Sequence, residues 1–170
     1  GIGVRLKNVI SAAAEKSGYS EKITNGRAMG FATSIDAGTP CAQVVEVSIL
    51  DNEIIVHKVT VSMDPGLAVN PDQIRAQCEG CVIMGMSAVL YEQMYVENGE
   101  LQPTIYGPYK MAVMKNAPKE IDVVLLQGKD TPGAVGEPPL GPIGAAIANA
   151  VRRLTGERLT ELPLKLSKTI

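Results

Sequence analysis

At 170 residues, with 45% hydrophobic and 20% charged side chains, the chain has the size and composition of one globular domain that builds its own core. A net charge of -2 gives no electrostatic reason to expect nucleic acid or an anionic membrane as a partner, and one Phe with no Trp removes most stacking platforms for bases. No apolar run approaches the roughly 20 residues that span a bilayer, and the opening residues lack the order of a signal peptide.

The chain begins with Gly1 rather than Met, as a cut or processed piece would. An upstream targeting segment therefore stays open, and the residues do not separate cytoplasm from periplasm. Leu6, Val9, Ile10 and Ala13 recur at helical spacing over residues 4–17, and Gly18 suits the exit, which predicts an amphipathic helix packed on a sheet. A Gly-bearing extended stretch follows at 27–35. Two β-branched runs, 44–49 and 54–61, flank Asp51-Asn52 and read as a hairpin. His57, the only histidine, alternates with apolar neighbours there and belongs on a solvent or packing face.

Asn70 then stands as an N-cap, Pro71 at the first helical position and Gln73 where a capping box puts its partner, so a helix is expected from 71 to about 91. From Cys78 to Leu90 it is apolar on nearly all sides, the pattern of a central buried helix. Gln77 is a polar exception, and a buried amide without a partner costs about 1 to 3 kcal/mol. Either it ties down a neighbouring loop or it binds a ligand; Ala76, Gly80 and Gly85 beside it suit a flat ligand or tight packing equally well. Cys78 and Cys81 form Cys-x-x-Cys, but with His57 the only histidine and no second Cys pair the ligand count fails for zinc. A redox pair would want an accessible helix N-terminus, so core packing is the expected role and no metal ligand is assigned.

Asn98-Gly99 between Met94-Tyr95-Val96 and residues 101–106 is a strong hairpin signal. An irregular crossover begins at 107–110, and 121–126 read as a further strand. The loop 128–139 leads into a last helix running from Pro142 through Ile143, Ala146, Ile147, Ala150 and Val151 to Gly156. The expected class is α+β, one domain with a mixed or antiparallel sheet and packed helices.

Residues 134–144, Ala-Val-Gly-Glu-Pro-Pro-Leu-Gly-Pro-Ile-Gly, set Glu137 on a stiffened corner. Gly136 permits a sharp turn, Pro138 and Pro139 restrict the backbone, and Pro142 suits a first helical turn. The helix dipole favours an ionised carboxylate there and burial would oppose it; the sequence leaves both open. The plain role is to complement the helix N-terminus. The functional one is general base catalysis.

The same corner, followed by Ala-Asn-Ala-Val and Thr-Gly, resembles the C-terminal signature of the molybdenum hydroxylases, the xanthine oxidase and aldehyde oxidoreductase family. Met63-Asp64-Pro65-Gly66 through Asn70-Pro71 to Gln77-Cys78-Glu79-Gly80 resembles a second run of that family, in the family's order. The likeness covers roughly residues 27–163 and is nearest the isoquinoline 1-oxidoreductase large subunits and related bacterial aldehyde dehydrogenases.

The resemblance implies that Glu137 is the general base, taking the proton of the attacking, water-derived hydroxyl, and that Gln77 hydrogen-bonds the molybdopterin-type molybdenum cofactor. Neither would be a metal ligand. It implies hydroxylation of an N-heterocycle or oxidation of an aldehyde as the full enzyme's reaction. The family's large subunit is several times longer, and its upstream glycine-rich cofactor segments have no counterpart here. Residues 1–170 are therefore expected to be the final portion of such a subunit, inactive and without cofactor alone. The implied partners are the remainder of the large subunit, an iron–sulfur electron-transfer subunit and a small-molecule substrate. The alternative is a noncatalytic scaffold or interaction module that kept the fold.

Overall fold

The structure is a computed structural model and describes residues 1–167. A four-stranded mixed sheet lies between helices. Its strands are β1 (Ala28–Asp36), β2 (Thr39–Leu50), β3 (Glu53–Met63) and β6 (Glu120–Leu125), in the order β1-β2-β3-β6. The first three form an antiparallel meander, whereas β6 pairs parallel to β3, with Val61 opposite Val123. Helix α1 (Ile2–Ser17) covers one face; α2 (Pro71–Leu90) and α3 (Pro142–Thr155) cover the other. A small exposed hairpin, β4 (Tyr95–Glu97) and β5 (Glu100–Gln102), projects after α2.

The period of two along β2 explains the layering. Ala42 and Val44 pack with Val9 and Ala13 of α1. Cys41, Val45 and Val47 join the larger core with Ile143, Ala146, Ile147, Ala150 and Val151 of α3. Local signals produced the ends of the elements: Gly18 and Gly156 close α1 and α3 in the left-handed conformation, and Asn70 Oδ1 accepts a bond from the Gln73 amide at 3.2 Å to start α2. Asp51-Asn52 and Asn98-Gly99 all have positive φ, the backbone that two-residue hairpins require.

Two expectations need correction. Helix α2 is not buried all round: Cys78, Val82 and Met86 face the core, while Gln77, Gly80 and Met84 are exposed. Small residues on both faces blurred the periodicity that separates a core face from an open one. The strand expected over 101–106 ends at Gln102, where Pro103 removes the next backbone donor.

Candidate active site around Glu137

Glu137 stands at the junction between the loop after β6 and the start of α3. Its side chain is exposed, while Pro138 and Pro139 behind it are buried. The turn closes through the Leu140 amide, which donates to the Glu137 carbonyl at 2.8 Å. Three carbonyls of the corner are each held by a side chain from a different element. Cys81 Sγ of α2 donates to Gly136 O at 2.8 Å, Ser34 Oγ of β1 to Pro138 O at 3.3 Å, and Gln43 Nε2 of β2 to Pro139 O. Backbone is thus fixed from below while the carboxylate is left free above.

The loop leading to the corner is tied to the segment after β3. Leu67 N donates to Asp130 O at 2.9 Å, Gly128 N to Gly66 O at 3.0 Å and Gly133 N to Pro65 O at 2.8 Å. Gly66 has a φ of +73°, and a Cβ there would lie 2.6 Å from Thr131 O, so backbone conformation and space both demand glycine. Asp64 holds this turn by accepting from Gly66 N at 2.9 Å, and Arg5 of α1 grips its carboxylate with Nε at 3.1 Å.

Gln77 projects from the exposed face of α2 towards the same place. A Cβ on Gly136 would lie 3.4 Å from Gln77 Nε2, an ordinary van der Waals distance, so the amide sits beside the residue that precedes Glu137. The two singled-out residues, sixty positions apart, therefore both adjoin Gly136, Gln77 through space and Glu137 along the chain. Gln77 does not solve a buried-amide problem, as the all-apolar reading of the helix implied; it is exposed and makes no hydrogen bond among the described residues. Beside it lies a cleft of about 240 Å³ lined by Leu67, Val69, Ile74, Gln77 and Val135 among others. Gly80, one turn along, faces open space, whereas Gly85 is a packing glycine whose Cβ would lie 2.5 Å from Ile143 Cγ2.

Sequence reasoning passed over Gln43 and Ser34 as supports of the corner. The available signal was Gln43 itself, a long amide at an inward position of an alternating apolar strand, where it must find a partner.

Cys41, Cys78 and Cys81 are all buried and free, as core packing requires. Burial, and then the neighbouring Cys81, pushes the Cys78 thiol from 9.0 up to about 12. Burial raises Cys41 further, and burial followed by the Glu137 charge raises Cys81. The fold therefore retains thiol protons that the unfolded chain loses, so stability is full below about pH 9 and falls as pH rises towards 12. A urea-denaturation series across that range should show the decline, and replacing Cys78 by Ala should make it shallower, with Cys41 and Cys81 carrying the rest. Among the described residues no group of three or more His, Cys, Asp or Glu could hold a metal ion. His57 lies away from the corner on β3, with Nε2 2.7 Å from Ser48 Oγ; burial and then the Arg27 charge hold it below its ordinary pKa.

The fold is also found in part of the aldehyde oxidoreductase of Desulfovibrio gigas, which superposes with a TM-score of 0.64 at 24% identity, over 74% of this chain and 14% of that one. The profile of the molybdopterin cofactor-binding domain matches residues 6–118, and the chain belongs to that family. The beta subunit of isoquinoline 1-oxidoreductase from Brevundimonas diminuta is 33% identical over 162 residues, covering 92% of this chain and 21% of the relative. The membrane-bound, pyrroloquinoline-quinone-type aldehyde dehydrogenase of Gluconacetobacter polyoxogenes is 30% identical over 175 residues, covering 97% and 22%. The chain thus spans about a fifth of the length of these curated relatives. Gln77 lies inside the family match and Glu137 beyond it, within the reach of the longer alignments.

The residues present fit one side of a molybdopterin group. Gln77 offers an amide without an intramolecular partner, Gly80 leaves the adjoining helix surface open, and Glu137, the residue after Gly136, exposes its carboxylate.

Proposed function

We propose that this chain is the C-terminal portion of a longer molybdenum hydroxylase subunit, in which Gln77 contacts the cofactor and Glu137 is the general base. The reading rests on one observation: the Gln77 amide and the Glu137 corner converge on Gly136 from separate segments. The full enzyme would hydroxylate an N-heterocycle or oxidise an aldehyde, inserting oxygen that comes from water. When bound, the cofactor supplies the two-electron acceptor for that reaction. The chain's own residues supply position and proton transfer. Gln77 Nε2 donates a hydrogen bond that orients the group, and the Glu137 carboxylate accepts the proton of the attacking oxygen. The three anchored carbonyls fix the backbone that carries that carboxylate.

The remainder of the subunit is the partner this reading needs first. Tyr106 is 88% exposed and Met114 91% exposed, and Val96, Leu101 and Ile105 near them are also open, an apolar surface suited to cover by further chain. The same holds for the open face of α2 around Met84. With the cofactor site divided in this way, the chain alone would hold no cofactor and be inactive. An iron–sulfur subunit would take the electrons onward.

Gln77→Ala tests the cofactor contact. In the full-length subunit it should weaken cofactor retention by about 10- to 100-fold, as loss of an outer contact to a metal site does, read as molybdenum and pterin per mole after dialysis. Full retention would contradict the assigned contact, and pyrroloquinoline quinone in place of molybdenum would contradict the reading as a whole. A noncatalytic module would bind neither.

A further inference from the structure

The corner that presents Glu137 is built from short-range glycine and proline restraints, but two side chains of the sheet, Ser34 and Gln43, fasten it there, and only Gln43 is fully buried. Gln43 is fully buried at the middle of β2, with its Nε2 donating to the Pro139 carbonyl. Pro139 lacks an N–H and Pro138 precedes it, so this stretch offers the sheet only carbonyls and can be fastened only by donors from elsewhere. Gln43 is the one such donor that is entirely withdrawn from solvent; Ser34 is part-buried, and Cys81 donates through sulfur. Its Oε1 has no hydrogen-bond partner, so the amide is orientated by its donor end alone. A side chain retained in an apolar core at that cost does something that a Val or Leu cannot.

We infer that Gln43 is a positioning residue for Glu137: its amide sets the height of the Gly136–Pro139 corner above the sheet, and through it the place of the carboxylate. The inference rests on the reading of Glu137 as the general base. Gln43 never touches the reacting groups. It acts on catalysis only through the backbone two residues after Glu137, and that gives it a signature distinct from a general loss of stability.

The test uses the full-length holoenzyme and the near-isosteric Gln43→Met, which keeps the volume and removes the donor. Turnover with an aldehyde or N-heterocycle that the wild type accepts should fall about 10- to 100-fold in kcat with KM little changed, the scale of a small displacement of a catalytic group. In a Glu137→Gln background the same substitution should change kcat less than about two-fold, because the group it positions is already gone. Equal losses in both backgrounds would show a merely structural role and overturn the inference.

Hydrogen exchange supplies a readout independent of turnover. The Leu140 amide, bonded to the Glu137 carbonyl, should exchange about 10-fold faster in Gln43→Met while amides in the centre of α3 keep their protection. Unchanged exchange at the corner would overturn the anchoring. If Glu137→Gln itself retained full turnover, the general-base reading would fall and the positioning role with it, while exchange would still report whether Gln43 fastens the corner. Should Gln43→Met not fold, Ser34→Ala removes the neighbouring anchor from a part-buried site and must show the same pattern at smaller size; uniform or absent changes there would count against the inference.

Discussion

Glu137→Gln in the full-length subunit should lower kcat by about 10²- to 10⁴-fold, the usual worth of a positioned general base, with molybdenum content and melting temperature unchanged. The separation of effects follows from the geometry. The carboxylate is exposed and holds nothing in place, whereas the corner is fixed through its own carbonyls by Cys81, Ser34 and Gln43. The amide of Gln has the same shape and cannot accept the proton. KM should change little, because the loss falls on the transition state rather than on ground-state binding. A loss of metal in parallel with activity would instead make Glu137 a support for the cofactor.

Gly30→Ala should be the most damaging small substitution in the scaffold. A Cβ at Gly30 would overlap the Ala146 carbonyl oxygen and lie 2.5 Å from the Ala150 amide nitrogen, so α3 rests directly on the backbone of β1. Both obstacles are backbone in the middle of a helix and cannot swing aside. Overpacking costs 1 to 3 kcal/mol or more, and a rigid contact of this kind belongs at about 3 kcal/mol, a fall in Tm of roughly 6–12 °C for a domain of this size. Since α3 begins five residues after Glu137, any surviving protein should also show a displaced corner and reduced turnover. Thermal unfolding of the variant, followed by circular dichroism, reads the first effect directly.

The parts of the fold that were legible in the sequence are those set by neighbouring residues. Pro142 and Gly156 bound α3, Asn70 and Pro71 start α2, and the paired positive-φ residues make the β2–β3 and β4–β5 hairpins. The Glu137 corner was legible for the same reason, because its glycine and prolines act locally. Long-range choices were not. Nothing near residues 120–125 marks them as a parallel partner of β3, since the crossover between them carries all of α2 and the exposed hairpin. The open face of α2 was hidden because Ala76, Gly80 and Met84 look as apolar as a buried face. Gln43 was hidden for the opposite reason: its partner, Pro139, lies 96 residues away and becomes visible only when the strand and the corner are brought together. The pairing of Gln77 with Glu137 comes from family resemblance rather than from any local signal; in the fold the Gln77 amide lies beside Gly136, the residue before Glu137.

Anomalous diffraction at the molybdenum edge, from crystals of the full-length subunit with its cofactor, addresses the central assignment without relying on activity. The metal peak should lie in front of the face formed by Gln77, Gly136 and Glu137, with the Gln77 amide directed towards the group. A peak on any other face of this domain, or a cofactor-loaded subunit in which Gln77 and Glu137 are covered by protein alone, would contradict it.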